Sequence, residues 1–278
     1  MGKQAGVGFG RLGVAIAAVV TMISAACGGS DDDGASVADA GSGGAGGGGG
    51  GMPAPAGEVH TQFWTKFEME RPAGANEVLG PLFNAALQDR SIKMLLQRDD
   101  TVAAGAVVRT GSADVVVGQE TADDPTDDVF AFRTSATCSD AAGADIPCEM
   151  AVGEVGVVST ETGYRSAAPT LIEAYSSTYK MVIRMRDVDL TVDLAAQGAS
   201  CEFDVCATFV GAVTVSDASR TVFELTTGQP ETRTDLKTFM ENFGVEPDTE
   251  VTNAEGDLEA AYTFAGTFSA DEVAFQAD

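Results

Sequence analysis

The chain has 278 residues, 16 basic and 42 acidic side chains, a net charge of −26 and a single histidine. That charge excludes a broad basic surface for nucleic acid, which depends on Lys and Arg neutralising phosphates. A hydrophobic content of 44% excludes a wholly disordered polymer, and one histidine excludes any chemistry that needs two.

Residues 1–26 carry Lys3 and Arg11, no acid, and the small apolar run from Leu12 to Ile23. The run is shorter than the roughly 20 residues that span a bilayer. A basic start, a short apolar stretch and small residues at its end make a secretory signal. The end reads Ser24-Ala25-Ala26-Cys27, which resembles the lipobox of bacterial lipoproteins. The resemblance implies cleavage before Cys27, acylation of its thiol and new amino terminus, and membrane association through those acyl chains. Gly28 follows the anchor where that class carries Asp for retention at the inner membrane, so the expected address is the outer membrane or cell surface. Ordinary cleavage near Ala26, leaving Cys27 a free thiol, is the competing reading.

Residues 28–57 hold 13 of the 33 glycines and four charges, Asp31, Asp32, Asp33 and Asp39. Such a segment cannot repay the entropy of ordering, so residues 27–57 are expected to be an anchor and a flexible tether. Thirty residues of this kind span roughly 30 Å.

Residues 58–278 are expected to form one extracytoplasmic domain with 14 basic and 38 acidic residues, a charge of −24. Period-2 alternation dominates it. Val59, Phe63, Phe67 and Met69 are expected on one face of an opening strand, with His60, Gln62, Trp64, Lys66 and Glu68 on the other. The second set offers either a stacking, glycan-type face centred on His60 and Trp64, or a Trp that covers a neighbouring element. Weaker strands are expected at 102–109, 113–118, 128–137, 150–159 and 220–226. A short helix from Pro81 to Arg90 is expected to bury Leu82, Phe83, Ala86 and Leu87.

Four cysteines, Cys138, Cys148, Cys201 and Cys206, stand in the domain. Their spacings fit zinc poorly, and export favours two local disulfides, Cys138–Cys148 and Cys201–Cys206. Between them, Met181, Ile183 and Met185 alternate on odd positions, whereas Val188, Leu190, Val192 and Leu194 alternate on even ones. That phase change predicts a bulge or reversal near Arg186–Asp187, because one residue of slip turns every side chain over.

Phe203, Val205, Ala207, Phe209, Val213 and Val215 mark another strand face, and Leu258, Ala260, Tyr262, Phe264 and Phe268 a third. A helix over 235–243 is expected from Leu236, Phe239, Met240 and Phe243, capped by Thr234 and ended by Gly244. Asn253, Glu255, Asp257 and Glu259 surround Gly256, and either bind calcium as alternating oxygen ligands or form a plain acidic hairpin. The expected fold is therefore mainly β, an antiparallel β-sandwich or open barrel with two short helices.

No nucleophile elbow, zinc-protease helix, phosphate loop or dinucleotide fingerprint occurs in the domain. The functional expectation is a non-catalytic binding or structural lipoprotein of the cell envelope, with a protein or glycan as partner. A carrier of a lipid or other apolar ligand and, third, a hydrolase are the alternatives.

Overall fold

The computed structural model describes residues 58–118, 128–140, 142–199, 203–224 and 232–277. The signal segment, Cys27, the tether and Cys201 lie outside the described residues. Strand β1 (Val59–Arg71) runs into helix α1 (Asn76–Gln88), and β2 (Met94–Asp99) returns alongside β1. Next come β3 (Val107–Val117), β4 (Val129–Phe132), the β5 (Ser135–Ser139) and β6 (Asp145–Glu149) hairpin, β7 (Gly153–Ser159) and β8 (Gly163–Ser166). After β9 (Thr170–Ser176) come the long β10 (Met181–Leu194) and then β11 (Val205–Thr214). Helix α2 (Val215–Arg220) and the ribbon β12 (Val222–Glu224) and β13 (Arg233–Asp235) lead into α3 (Leu236–Asn242). The chain closes with β14 (Thr249–Thr252), β15 (Leu258–Glu272) and β16 (Ala274–Phe275).

Eight of these strands make a closed ring. Each pairs antiparallel with the next in the order β1, β2, β3, β7, β8, β10, β11 and β15, and β15 returns to β1. Ring order equals chain order, so this is an up-and-down barrel. The expected mainly β, antiparallel architecture with short helices is present, as a barrel that is closed where an open one was expected. Eight strands leave an interior that side chains can fill, with room at most for one small ligand. Closure also removes the unpaired edges that a sandwich would have to protect.

The interior is built from alternating residues of the ring. Trp64, Phe67, Leu96, Val108, Leu190, Val192, Ala207, Phe209 and Phe268 are all buried in one cluster. Trp64 stacks on Phe268 with ring centroids 3.7 Å apart. Bulges set the parity. β1 carries an extra residue between Trp64 and Lys66, so Gln62 and Trp64 face inward before it while Phe67 faces inward after it. The single apolar face expected for Val59, Phe63, Phe67 and Met69 is thereby split. Phe63 points outward and joins Leu95, Ala113, Phe130 and Val273 in a second cluster under β4 and β16.

The second phase change is where the sequence placed it. The register of β10 slips between Arg186 and Asp189 against β11, and Asp187 adopts a φ of 50°. The extra residue lets the first half of β10 pair with β9 and the second half with β8. Gly211 lies opposite the bulge, where an added Cβ would sit 2.6 Å from Val188 Cγ2.

Helices plug the end where β10 leaves the ring. Leu79, Ala86 and Leu87 of α1, and Leu236, Phe239 and Met240 of α3, join the interior cluster. Helix α1 starts five residues before Pro81, which lies inside it, and Leu82 and Phe83 are only half-buried. Asp235, not Thr234, caps α3: its carboxylate accepts from the Thr238 amide at 2.8 Å. The carboxylate is the stronger acceptor, and Thr234 is held in the β12–β13 ribbon. Gly244 follows with a φ of 68°. The short α2, capped by Thr214, had no expectation in the sequence, and Val215 begins it instead of extending the preceding strand.

The β5–β6 hairpin packs on the outside, where Cys138, Met150, Tyr175 and Val182 form a small cluster. Cys138 and Cys148 are disulfide-bonded with Cα atoms 5.8 Å apart. Cys206 is also disulfide-bonded; Cys201, its expected partner, lies outside the described residues.

Candidate functional site

The end of the barrel opposite the helices carries a cleft of about 260 Å3. It forms where the start of β1, the end of β2, the start of β8, the end of β10, the start of β11 and the end of β15 come together. Closed barrels offer ligand sites at such mouths. Gln62 and Tyr164 form part of its lining and are 5% and 1% exposed. Gln62 Oε1 and the Tyr164 hydroxyl are buried and have no hydrogen-bond partner. Each such group costs about 1–3 kcal/mol when left unpaired.

Charged groups ring the cleft. Arg98 Nε donates to Asp100 Oδ1 at 2.8 Å, and its guanidinium lies 5.0 Å from the centre of the Tyr164 ring. Asp204 Oδ2 accepts from the Glu272 amide at 3.0 Å. His60 lies between two carboxylates, with Nδ1 3.4 Å from Glu272 and Nε2 3.4 Å from Glu58. Leu194 and Val205 supply an apolar wall.

Burial is the main influence raising the Tyr164 hydroxyl far above the ordinary phenol value; Arg98 opposes the rise and Asp100 adds to it. The hydroxyl is therefore a neutral donor or acceptor at every physiological pH, not a base. Among the described residues that line the cleft with His60, the hydroxyl is that of Tyr164. The arrangement offers a solute carboxylates, a paired guanidinium and an apolar wall.

The structure separates the candidates that the sequence grouped. His60 is at the mouth, as is Gln62. Trp64 is 3% exposed and inside the barrel, so it is no stacking face for a glycan; burial against Phe268 accounts for it. Lys66 and Glu68, beyond the bulge, are exposed and pair with each other at 2.7 Å.

The acidic loop is a hairpin between β14 and β15. Asn253 Oδ1 accepts from the Glu255 and Asp257 amides at 3.0 and 2.9 Å. Glu259 turns away to accept from the Ser216 amide and hydroxyl at 2.6 and 2.9 Å. Burial disfavours its charge, but the bonds from Ser216 and Asn253 and the charge of Arg220 together hold its carboxyl below the ordinary value. Two of the four oxygen donors proposed for calcium are thus committed within the protein. Among the described residues no group of three or more metal-ligating side chains converges.

Arg98, Tyr164, Asp204 and Glu272 were missed by the sequence reading. Each is unremarkable in its own strand, and only ring closure gathers them. The nearest local signal is the apolar run Met94-Leu95-Leu96, which ends in Gln97-Arg98-Asp99-Asp100.

Comparison with protein-family models, with curated proteins and with solved structures finds no match to this chain. The class is therefore the one the topology defines, a closed eight-stranded up-and-down barrel with a helix-plugged end and an open polar mouth.

Proposed function

We propose that this protein is a lipid-anchored, non-catalytic receptor of the cell envelope that binds a small polar ligand at the barrel mouth. The observation that carries the reading is the pair of unpartnered polar atoms, Gln62 Oε1 and the Tyr164 hydroxyl, buried in two residues that line a roughly 260 Å3 cleft. A barrel selected for stability alone would fill these positions with apolar side chains, as it does elsewhere in the ring with Leu96, Val192, Phe209 and Phe268. The apolar-carrier reading has less support. The space enclosed by α1, α3 and β10 is about 30 Å3, one water's worth, where a lipid needs several hundred.

The address rests on Ser24-Ala25-Ala26-Cys27. Cys27→Ser is expected to move the protein from the detergent phase to the aqueous phase of a Triton X-114 separation with its fold unchanged. Binding is tested by thermal melting of the soluble Cys27→Ser chain against a panel of small polar solutes and fatty acids. A polar solute that raises the melting temperature, with the rise abolished by Gln62→Leu, supports the receptor. A rise with fatty acids alone supports the carrier instead.

A further inference from the structure

The charge around the mouth is unbalanced, and resting on the receptor reading we infer that its ligand is a small alkylammonium cation with a donor at each end. Three carboxylates line the cleft, Asp100, Asp204 and Glu272, against one permanent cation, Arg98. Arg98 is held by Asp100 at 2.8 Å, which leaves Asp204 and Glu272 to face an incoming solute, with the partly exposed His60 3.4 Å from Glu272 as the one contact a cation would displace. Both belong to exposed residues on adjoining strand ends, joined by the bond from the Glu272 amide to Asp204. An anion entering here would meet two carboxylates and only the flank of a paired guanidinium.

The lining makes the second demand. A glutamine carbonyl oxygen can only accept, and a phenol oxygen accepts as readily as it donates. An ammonium group has three donors and no acceptor, so it matches the Gln62 and Tyr164 oxygens and the rim carboxylates alike. Leu194 and Val205 offer a methylene chain an apolar wall between the two. The domain's charge of −24 adds a long-range field that concentrates cations and repels anions.

Trp64 is the only tryptophan in the chain and lies two residues from Gln62 on the same inner face, one layer below the cleft. Its indole is therefore a nearby reporter, and loss of the signal in the Gln62→Leu chain assigns a perturbation to the mouth. The test is titration of the Cys27→Ser chain with 1,4-diaminobutane, neutral 1,4-butanediol and succinate, following Trp64 fluorescence and its indole NMR resonance. The diamine is expected to perturb Trp64 saturably, the diol to bind at least tenfold more weakly and succinate to have no effect. Raising salt from 20 to 500 mM is expected to weaken the diamine only. The pair Asp204→Asn and Glu272→Gln, which keeps an oxygen to accept the Glu272 amide, is expected to bring diamine and diol to equal affinity. Equal binding of diol and diamine in the unsubstituted mouth, or preference for succinate, overturns the cation inference and leaves the receptor standing. No perturbation by any of the three at 10 mM overturns both.

Discussion

The two ends of the barrel solve the same problem in opposite ways. A ring of strands leaves an open section at each end, where inward-facing side chains lose their neighbours. At the end where β10 diverges, α1 and α3 lie across the opening, and Phe239 is 3% exposed between Phe223 and Phe243. At the other end, among the described residues, only the single 3-10 turn Ala195–Gln197 borders the opening, and Gln62, Arg98 and Tyr164 stand beside Leu194 and Val205 in the last inward layer. The first end is closed by burial, which stabilises regardless of geometry. The second keeps buried polar atoms that stabilise only when something completes them. The difference teaches that the mouth has forgone stability that the plugged end secures.

Substitutions are expected to separate the ends by size and sign. Phe239→Ala at the plugged end is expected to cost about 3–5 kcal/mol, since the cavity lies at the centre of the helix contact. Urea unfolding would show this as a lower midpoint at unchanged slope, and a negligible shift would mean that α3 is not part of the barrel's core. Removing the outer staple with Cys138→Ser is expected to cost about 2–3 kcal/mol, from freeing a short loop in the unfolded chain. Because the hairpin packs outside the ring, the cleft should bind as before, which the Trp64 titration would read. Loss of binding would show that the mouth depends on distant packing.

A smaller effect comes from the barrel wall near the mouth. Asp99 accepts from the hydroxyl and amide of Thr101 at 2.6 and 2.9 Å and from Arg109 at 3.0 Å. The Thr101 bonds, first through its hydroxyl and then its amide, outweigh the cost of burial and with Arg109 hold the carboxyl below its ordinary value. The folded pKa lies below the unfolded one, so the stabilisation is complete above the unfolded value of about 3.9 and is lost as pH falls through the folded one. Asp99→Asn is expected to be less stable at pH 7 by about 1 kcal/mol, with the gap closing as pH falls below 4. A gap independent of pH would assign the loss to geometry instead of charge.

What could be read in advance followed from local pattern. The bulge at Asp187 was legible because seven apolar residues changed phase around it. The helix under Phe239 was legible from spacing alone. The bulge in β1 was not, since alternation of residue type runs unbroken from Phe63 to Met69 and both faces hold aromatics. Strands β2 and β9 were hidden for a different reason: Leu95 faces the outer cluster while Leu96 faces the barrel, and Thr170–Ser176 is buried along nearly its whole length. Strands covered on both sides lose their alternation. The mouth was least legible, because its residues come from six strand ends and of its polar groups only His60 and Gln62, on one strand, attracted notice. Unpartnered polar atoms are a property of three-dimensional surroundings, and no spacing announces them.

The stability of Tyr164→Phe, measured by urea unfolding without ligand, tests the contrast between the two ends most directly. If the hydroxyl is buried for a ligand and unpaired without one, its removal is expected to leave the protein as stable or to raise stability by about 1 kcal/mol, while weakening any solute that perturbs Trp64. A loss of 1 kcal/mol or more would contradict this, showing that the hydroxyl is bound into the barrel and that the mouth, like the plugged end, is built for stability.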